Sequence, residues 1–324
     1  MMSEISVKKR NQFYLIKNFF IKNQLLIIIL IFIIVIGIYK PVFLSTYNLM
    51  NILRTSALLG IVSIGMTFIM ISGGIDLSIG SVMGLVSVII AGLTTNNKVP
   101  IYYCIIVALL IGIFSGLING VLITRGRITP FIATLATMVI LRGVDLIYSN
   151  SRTIPIIGLE RFFILGRGTI FSVPIPLFIF IIISIIAIIF LKYHTFGNYI
   201  YAIGGNYEAS KYSGIRVDRY ILISYIIGGC LASLSGIIYT ARLASGQPML
   251  GENFEMMSIA AVCVGGTSLL GGIGSIYGTL MGAILISALY NSMSIIGLST
   301  FLQEVAVGIV LVIAVIFSIK RKRS

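Results

Sequence analysis

The sequence predicts an all-α polytopic membrane protein of about ten transmembrane helices, with eight as the lower count, on three observations. First, 58% of its 324 residues are hydrophobic, 10% are charged and the mean hydropathy is +1.10, far from the balance of a soluble globular domain. Second, the apolar residues fall in successive runs long enough to cross a bilayer, about 20 residues or fewer where flanking groups snorkel. Third, a glycine-rich break between two such runs, Gly73 to Gly84, returns without a gap as Gly271 to Gly282. The chain reads as internally repeated.

Taken in order, spans are expected near 25–39, 53–71, 78–94, 100–123, 128–149, 175–191, 220–243, 256–270, 276–296 and 300–318. The first run, Leu25 to Ile38, follows a basic region as a signal peptide would, yet Tyr39-Lys40-Pro41 offers no small-residue cleavage site, so it reads as a retained span. The net charge of +14 gathers mainly at segment ends: Lys8, Lys9, Arg10, Lys17 and Lys22, then Arg125 and Arg127, then Lys320 to Arg323. Starting inside, ten crossings bring all of these, and the segment 192–219, to the cytoplasm, as the positive-inside rule requires. Topology accounts for the basic excess, and nucleic acid is not needed as a partner.

One transmembrane domain over 1–324 is therefore expected. Its parts are a basic cytoplasmic N-terminus (1–24), an extracytoplasmic loop (150–174), a cytoplasmic loop (193–219) and a basic cytoplasmic tail (319–324). The outer loop carries Arg152, Arg161 and Arg167 against the charge rule. It is either a connector that tolerates charge or a segment whose basic residues have a task.

Both copies of the repeat keep two glycine pairs: Gly73, Gly74, Gly80 and Gly84 in the first, Gly271, Gly272, Gly278 and Gly282 in the second. Asp76 of the first copy is Gly274 in the second, so what the copies share is a backbone device and not an acid. An irregular backbone with a carboxylate persists in a membrane only where it is packed in protein or lines a wet pathway. Asp76 is accordingly expected to cap the following helix near Ser78 to Gly80 or to line that pathway. The repeat offset also carries the span before Arg125 and Arg127 onto the last span, which suggests two parallel halves around the spans 128–149 and 175–191. Small residues at four-residue spacing (Gly80/Gly84, Gly112/Gly116/Gly120, Ala232/Gly236, Gly278/Gly282) permit close helix approach.

Polar residues within spans are few: Arg54, Asp76, Asn119, Thr129, Thr134, Arg142, Asp145, Glu255, Asn291 and Glu304. Arg142 and Asp145, three apart, are expected to pair near the outer end. Cys104, Cys230 and Cys263 lie in apolar runs, and His194 is the sole histidine, so neither a disulfide framework nor a His-based metal or catalytic cluster is expected. No Gly-Lys dipeptide occurs, which excludes a Walker A loop, and neither a zinc-protease helix motif nor a nucleophile elbow is present. The chain is not read as an enzyme and has no cofactor of its own.

One cytoplasmic segment stands apart. Asn206 can cap a short helix with Glu208 in its first turn, and Gly214 supplies a left-handed stop. About two exposed turns between membrane spans have the shape of a docking element, or of a plain loop helix.

Four blocks in this order carry a resemblance: Ser72-Gly73-Gly74-Ile75-Asp76-Leu77-Ser78-Ile79-Gly80-Ser81; Asn119-Gly120 with Thr129-Pro130-Phe131 to Met138 and Arg142-Gly143; Tyr201-Ala202-Ile203-Gly204-Gly205-Asn206 with Glu208-Ala209 and Ser213-Gly214-Ile215; and Ala260-Ala261 to Gly272 with Gly274-Ser275. Over nearly the whole chain after the first span, the sequence resembles the inner-membrane permease subunits of ATP-binding-cassette (ABC) importers for simple sugars, of the ribose, galactose, xylose and autoinducer-2 type.

The resemblance implies a multi-pass permease of a bacterial cell membrane, driven by a separate cytoplasmic ATPase subunit that binds the ATP. It implies further a second permease protomer, the surrounding membrane lipid, and an extracytoplasmic sugar-binding protein that sets most of the specificity. Asn206, Glu208, Ala209, Ser210, Ser213, Gly214 and Ile215 would form the coupling helix that sits on the ATPase, and the glycine stretches would flank the path at the protomer interface. Asp76, Ser78, Asn119, Thr129, Thr134, Thr267 and Ser268 are candidates to meet the hydroxyls of a passing sugar. The chain departs from the expected pattern at Met257 and Val307, where an acid and a lysine would be looked for. A permease for nucleosides or another small polar solute, an ion-coupled secondary transporter using Asp76 and Glu304, and a membrane scaffold are the alternatives.

Overall fold

A computed structural model describes residues 24–323. Lys8, Lys9, Arg10, Lys17 and Lys22, and with them all but the last residue of the expected N-terminal region 1–24, lie outside the described residues, as does Ser324.

Each of the ten expected spans falls on a helix. In chain order these are α1 (Gln24–Tyr39), α2 (Thr46–Ile71), α3 (Ile79–Thr95), α4 (Ile101–Thr124), α5 (Pro130–Ser149), α7 (Ile175–Tyr193), α10 (Val217–Leu243), α11 (Phe254–Val264), α12 (Ile276–Ile296) and α13 (Thr300–Arg323). Three shorter helices sit between them: α6 (Glu160–Arg167), α8 (Thr195–Gly205) and α9 (Tyr207–Tyr212). Six of the ten, α2, α4, α5, α7, α10 and α12, are long and apolar enough to cross a membrane, and the other four are shorter apolar helices.

One boundary changes. The run expected as a span over 256–270 is helical only as α11, whose 11 residues rise about 16 Å against a hydrocarbon core of about 30 Å. It stops because Gly265-Gly266 follow, with Gly266 at φ +91°. α11 is a half-helix that leads into the second glycine break.

Burial separates an inner helix from a rim. In α2, 83% of the apolar window is buried, against 28%, 22% and 28% in α4, α5 and α7. α2 is therefore the central helix, and the outward faces of the other three are the surface a bilayer would cover. α10 lies against α4, α2 and α3. Its approach to α4 is backbone on backbone, because any side-chain carbon added at Gly112 or Gly116 would strike the carbonyl oxygens of Gly229 or Tyr225. Without water to exclude between helices in lipid, such close van der Waals contact is what holds them together.

Polar ties complete the bundle. Asn48 and Asn291 exchange amide hydrogen bonds, both at 2.9 Å, and the hydroxyls of Thr67 and Thr279 meet at 2.7 Å, joining α2 to α12. The segment 150–174 is built rather than merely connecting. It contains α6, a hairpin of β2 (Thr169–Ile170) with β3 (Val173–Pro174), and β1 (Ile154–Pro155), which pairs antiparallel with β4 (Ser245–Gly246). His194 caps α8, its Nδ1 accepting from the Phe196 N–H at 3.1 Å.

Candidate functional site: two glycine breaks and a short helix

The first break follows from a helix stop that only glycine takes at no steric cost. After Ile71 the chain turns through Gly73 at φ +88°, and the Gly73 and Gly74 N–H groups donate back to Met70 and Ile69 at 3.0 Å each, closing the end of α2. Gly74 leaves room for the Tyr225 ring, whose hydroxyl donates to the Ile75 carbonyl at 3.0 Å.

Asp76 is fully buried and accepts every contact it makes. Its Oδ1 takes the Ser78 N–H at 2.8 Å, the Ser78 hydroxyl at 2.6 Å and the Asn119 amide at 3.4 Å. Asn119 also donates to the Ser78 hydroxyl at 2.9 Å, and its own oxygen accepts from Thr137 at 2.6 Å. The carboxylate closes a turn over two residues rather than reaching to Gly80. Its network pins the break to α4 through Asn119 and to α5 through Thr137. Thr137 was not among the sequence candidates. Its signal was its position one turn after Thr134, on the same helix face. Thr134 itself is buried and donates to the Pro130 carbonyl at 2.9 Å.

The second break, 265–275, is a loop of its own. Thr267 and Ser268 are buried in it, and the Ser268 hydroxyl accepts from the Leu270 N–H at 3.2 Å. Gly271 and Gly272 stand at φ +78° and +77°, and Ser275 opens α12. The Gly272 N–H donates to the Ile71 carbonyl at 2.9 Å, so the second break bonds directly to the last turn before the first.

A third glycine pair meets both. A Cβ on Gly271 would lie 2.8 Å from the Gly204 Cα and 3.0 Å from the Gly73 Cα, one on Gly272 would lie 2.8 Å from the Gly205 Cα, and one on Gly204 would strike the Ile71 carbonyl oxygen. Tyr201 of α8 also donates to the Gly274 carbonyl at 2.8 Å. The two sequence repeats therefore come together on the C-terminal end of α8. In the sequence Gly204-Gly205 stands out only within a block that carries the family resemblance; the recurring Gly-Gly dipeptide is the available sign of this contact.

Directly after Gly205 comes the short helix. Asn206 caps α9, its Oδ1 accepting from the Ala209 N–H at 3.0 Å. The Ser210 hydroxyl donates to the Asn206 carbonyl and the Ser213 hydroxyl to the Ala209 carbonyl, both at 2.8 Å. Gly214 ends the turn at φ +81°. Glu208, Ala209, Lys211, Tyr212 and Ser213 are exposed, Ser210 is buried and Ile215 is half-buried.

Arg127 reaches across to this segment from the α4–α5 linker. It donates to the Tyr207 hydroxyl at 3.0 Å and pairs with Asp218 at 3.5 Å, and these contacts raise its pKa above the ordinary arginine value. Its backbone is left-handed, φ +55°, an uncommon state for a residue with a side chain. Between this bridge and the breaks lies a cleft of about 490 Å³, lined among others by Gly73, Thr129, Gly204, Tyr207 and Asp218. Of the path candidates, Thr129 lines this cleft, whereas Asp76, Ser78 and Asn119 are tied to one another.

At the start of α3, Gly80 and Gly84 face the carbonyls of Gly251 and Pro248 together with the side chains of Glu255 on α11 and of Arg142 and Asp145 on α5. Arg142 pairs with Asp145 at 3.3 Å and donates to the Pro248 carbonyl. Gly278 and Gly282, by contrast, face the backbone of Gly265 and Ala261 at the end of α11.

Comparison with known proteins agrees with this architecture. A family profile described as a branched-chain amino acid transport system / permease component matches residues 48–315. The chain is similar to the ribose import permease protein RbsC of Bacillus subtilis (strain 168), with 42% identity over 90% of each chain. It is also similar to the ribose import permease protein RbsC of Haemophilus influenzae, with 38% identity over 96% of this chain and 97% of the relative. The D-allose transport system permease protein AlsC of Escherichia coli (strain K12) shares 33% identity over 97% and 95%. No solved structure matches. A profile and relatives that span most of the chain, on a bundle of this kind, mean that the protein belongs to the family of transport-system permease components.

Proposed function

We propose that the chain is the membrane-spanning permease subunit of an ABC importer that moves a simple sugar of the ribose kind, powered by a separate cytoplasmic ATPase. The observation that carries the reading is the meeting of Gly73, Gly204 and Gly271, which sets both helix breaks on the helix that runs straight into α9. In this reading the end bearing Arg127 and Lys211 is cytoplasmic, 150–174 is extracytoplasmic, and α9 with its cap Asn206 docks on the ATPase. Displacement of α9 would move α8 as a rigid lever, and α8 would shift the two breaks together. Small shifts of such packed backbones switch between discrete arrangements rather than deforming smoothly. A binding protein outside and a second permease protomer complete the machine.

Substrate class rests on the relatives named for ribose and D-allose. The cleft beside Thr129 is large enough for a monosaccharide and carries hydroxyl, carboxylate and guanidinium groups, suited to transient contacts with sugar hydroxyls that do not hold the solute in every state. An ion-coupled mechanism through Asp76 is disfavoured because the carboxylate already takes three donors. The test is uptake of radiolabelled ribose into proteoliposomes holding the permease, its ATPase and its binding protein. Uptake that requires hydrolysable ATP and ignores an uncoupler supports the reading; uptake by the permease alone that an uncoupler abolishes rejects it.

A further inference from the structure

At the end of the bundle opposite α9, three arginines converge without a carboxylate. Arg54 of α2 donates from Nη2 to the Arg167 carbonyl at 3.4 Å, and Arg167 at the end of α6 donates from Nε to the Arg242 carbonyl at 2.7 Å. Arg242, in the last turn of α10, donates to Asn51 at 2.6 Å and to Thr55 at 3.4 Å. Among the described residues the ion pairs are Arg127 with Asp218 and Arg142 with Asp145; none serves this cluster. The Arg54 Nε is buried and has no hydrogen-bond partner.

Two of these charges have a local reason. Arg167 and Arg242 close the C-terminal ends of α6 and α10, where the helix dipole favours a cation. Arg54 lies in the first third of α2, nearer the end that disfavours one. The grouping also runs against the positive-inside bias, as Arg152 and Arg161 of the neighbouring loop do.

We propose that Arg54, Arg167 and Arg242 bind the phosphate of an anionic membrane lipid. Guanidinium forks match phosphate oxygens in geometry and charge. The surroundings select a lipid over a free ion. The hairpin that follows Arg167 holds Ile170 46% and Phe171 95% exposed, and Tyr47, seven residues before Arg54 on the same face of α2, is 83% exposed. Aromatic and aliphatic groups beside a cation are what an interfacial headgroup with its acyl chains meets. This inference stands independently of the sugar reading.

The test is native mass spectrometry and thermal melting of the detergent-purified full-length protein with phosphatidylglycerol, phosphatidylcholine or inorganic phosphate. Wild type is expected to retain phosphatidylglycerol selectively and to melt higher with it. Arg54→Gln should weaken that binding roughly tenfold, as loss of one charge-assisted contact implies, with Arg54→Lys intermediate and Arg152→Gln, at the same end, unchanged. If Arg54→Gln does not fold, the exposed Arg167→Gln carries the same expectation. Equal lipid retention by the folded glutamine variant overturns the proposal. So does equal stabilisation by inorganic phosphate alone, or a loss confined to affinity for the extracytoplasmic binding protein.

Discussion

Asp76 and Gly204 carry most of what the site asks of single residues. Asp76→Asn keeps a carbonyl oxygen where Ser78 and Asn119 donate, so it should fold normally and retain most uptake. Asp76→Ala instead strands those buried donors, at about 1–3 kcal/mol for each group left unsatisfied, and should lower the melting temperature of the purified protein. Loss of all uptake in a well-expressed Asp76→Asn would contradict the packing role. Gly204→Val drives its side chain into the Ile71 carbonyl and the Gly272 N–H, an overpacking of about 1–3 kcal/mol or more, and should abolish uptake through failed assembly. The sequence exposed Asp76 because a lone acid between apolar runs is conspicuous. Its partners were less visible, since Asn119 and Thr137 are brought to it by helix packing across many residues.

Among the elements, α9 is the most separable. Its cap, stop and exposed face are all local, and that is why they could be read from Asn206, Glu208 and Gly214 without the fold. Glu208→Lys, at an exposed site, should leave expression and melting unchanged while reducing ATPase co-purification and uptake. Unchanged co-purification would remove α9 from the docking role. Asn206→Ala should cost about 1 kcal/mol of local helix stability through loss of the cap and give a milder version of the same defect. The Arg127–Asp218 bridge is exposed, 61% and 48% at its two side chains, and surface pairs of this kind contribute little to stability. Arg127→Asp should therefore fold yet uncouple ATP hydrolysis from uptake, and Arg127→Asp with Asp218→Arg should restore part of the coupling. An uptake-to-hydrolysis ratio that stays the same in the single variant would show that the bridge has no part in coupling. What the sequence could not show at this scale was the length of α11. Hydropathy runs on to Leu270, and only the glycine pair at 265–266 tells that the helix stops halfway.

For the whole molecule, ten apolar runs and their basic flanks were legible because the bilayer imposes length and charge rules on each run separately. The meeting of three glycine pairs was not legible, since it depends on how α2, α8 and α11 are set against one another. That meeting is the central claim: α9, α8 and both breaks move as one. It is tested most directly by cysteine cross-linking between Gly205→Cys and Ile273→Cys in a cysteine-free background of the assembled transporter. The account predicts that the link forms and that the linked transporter still imports sugar in response to ATP at the unlinked rate, because parts that move together lose nothing by being tied. A linked transporter that keeps its ATPase but stops importing until the link is reduced would contradict it.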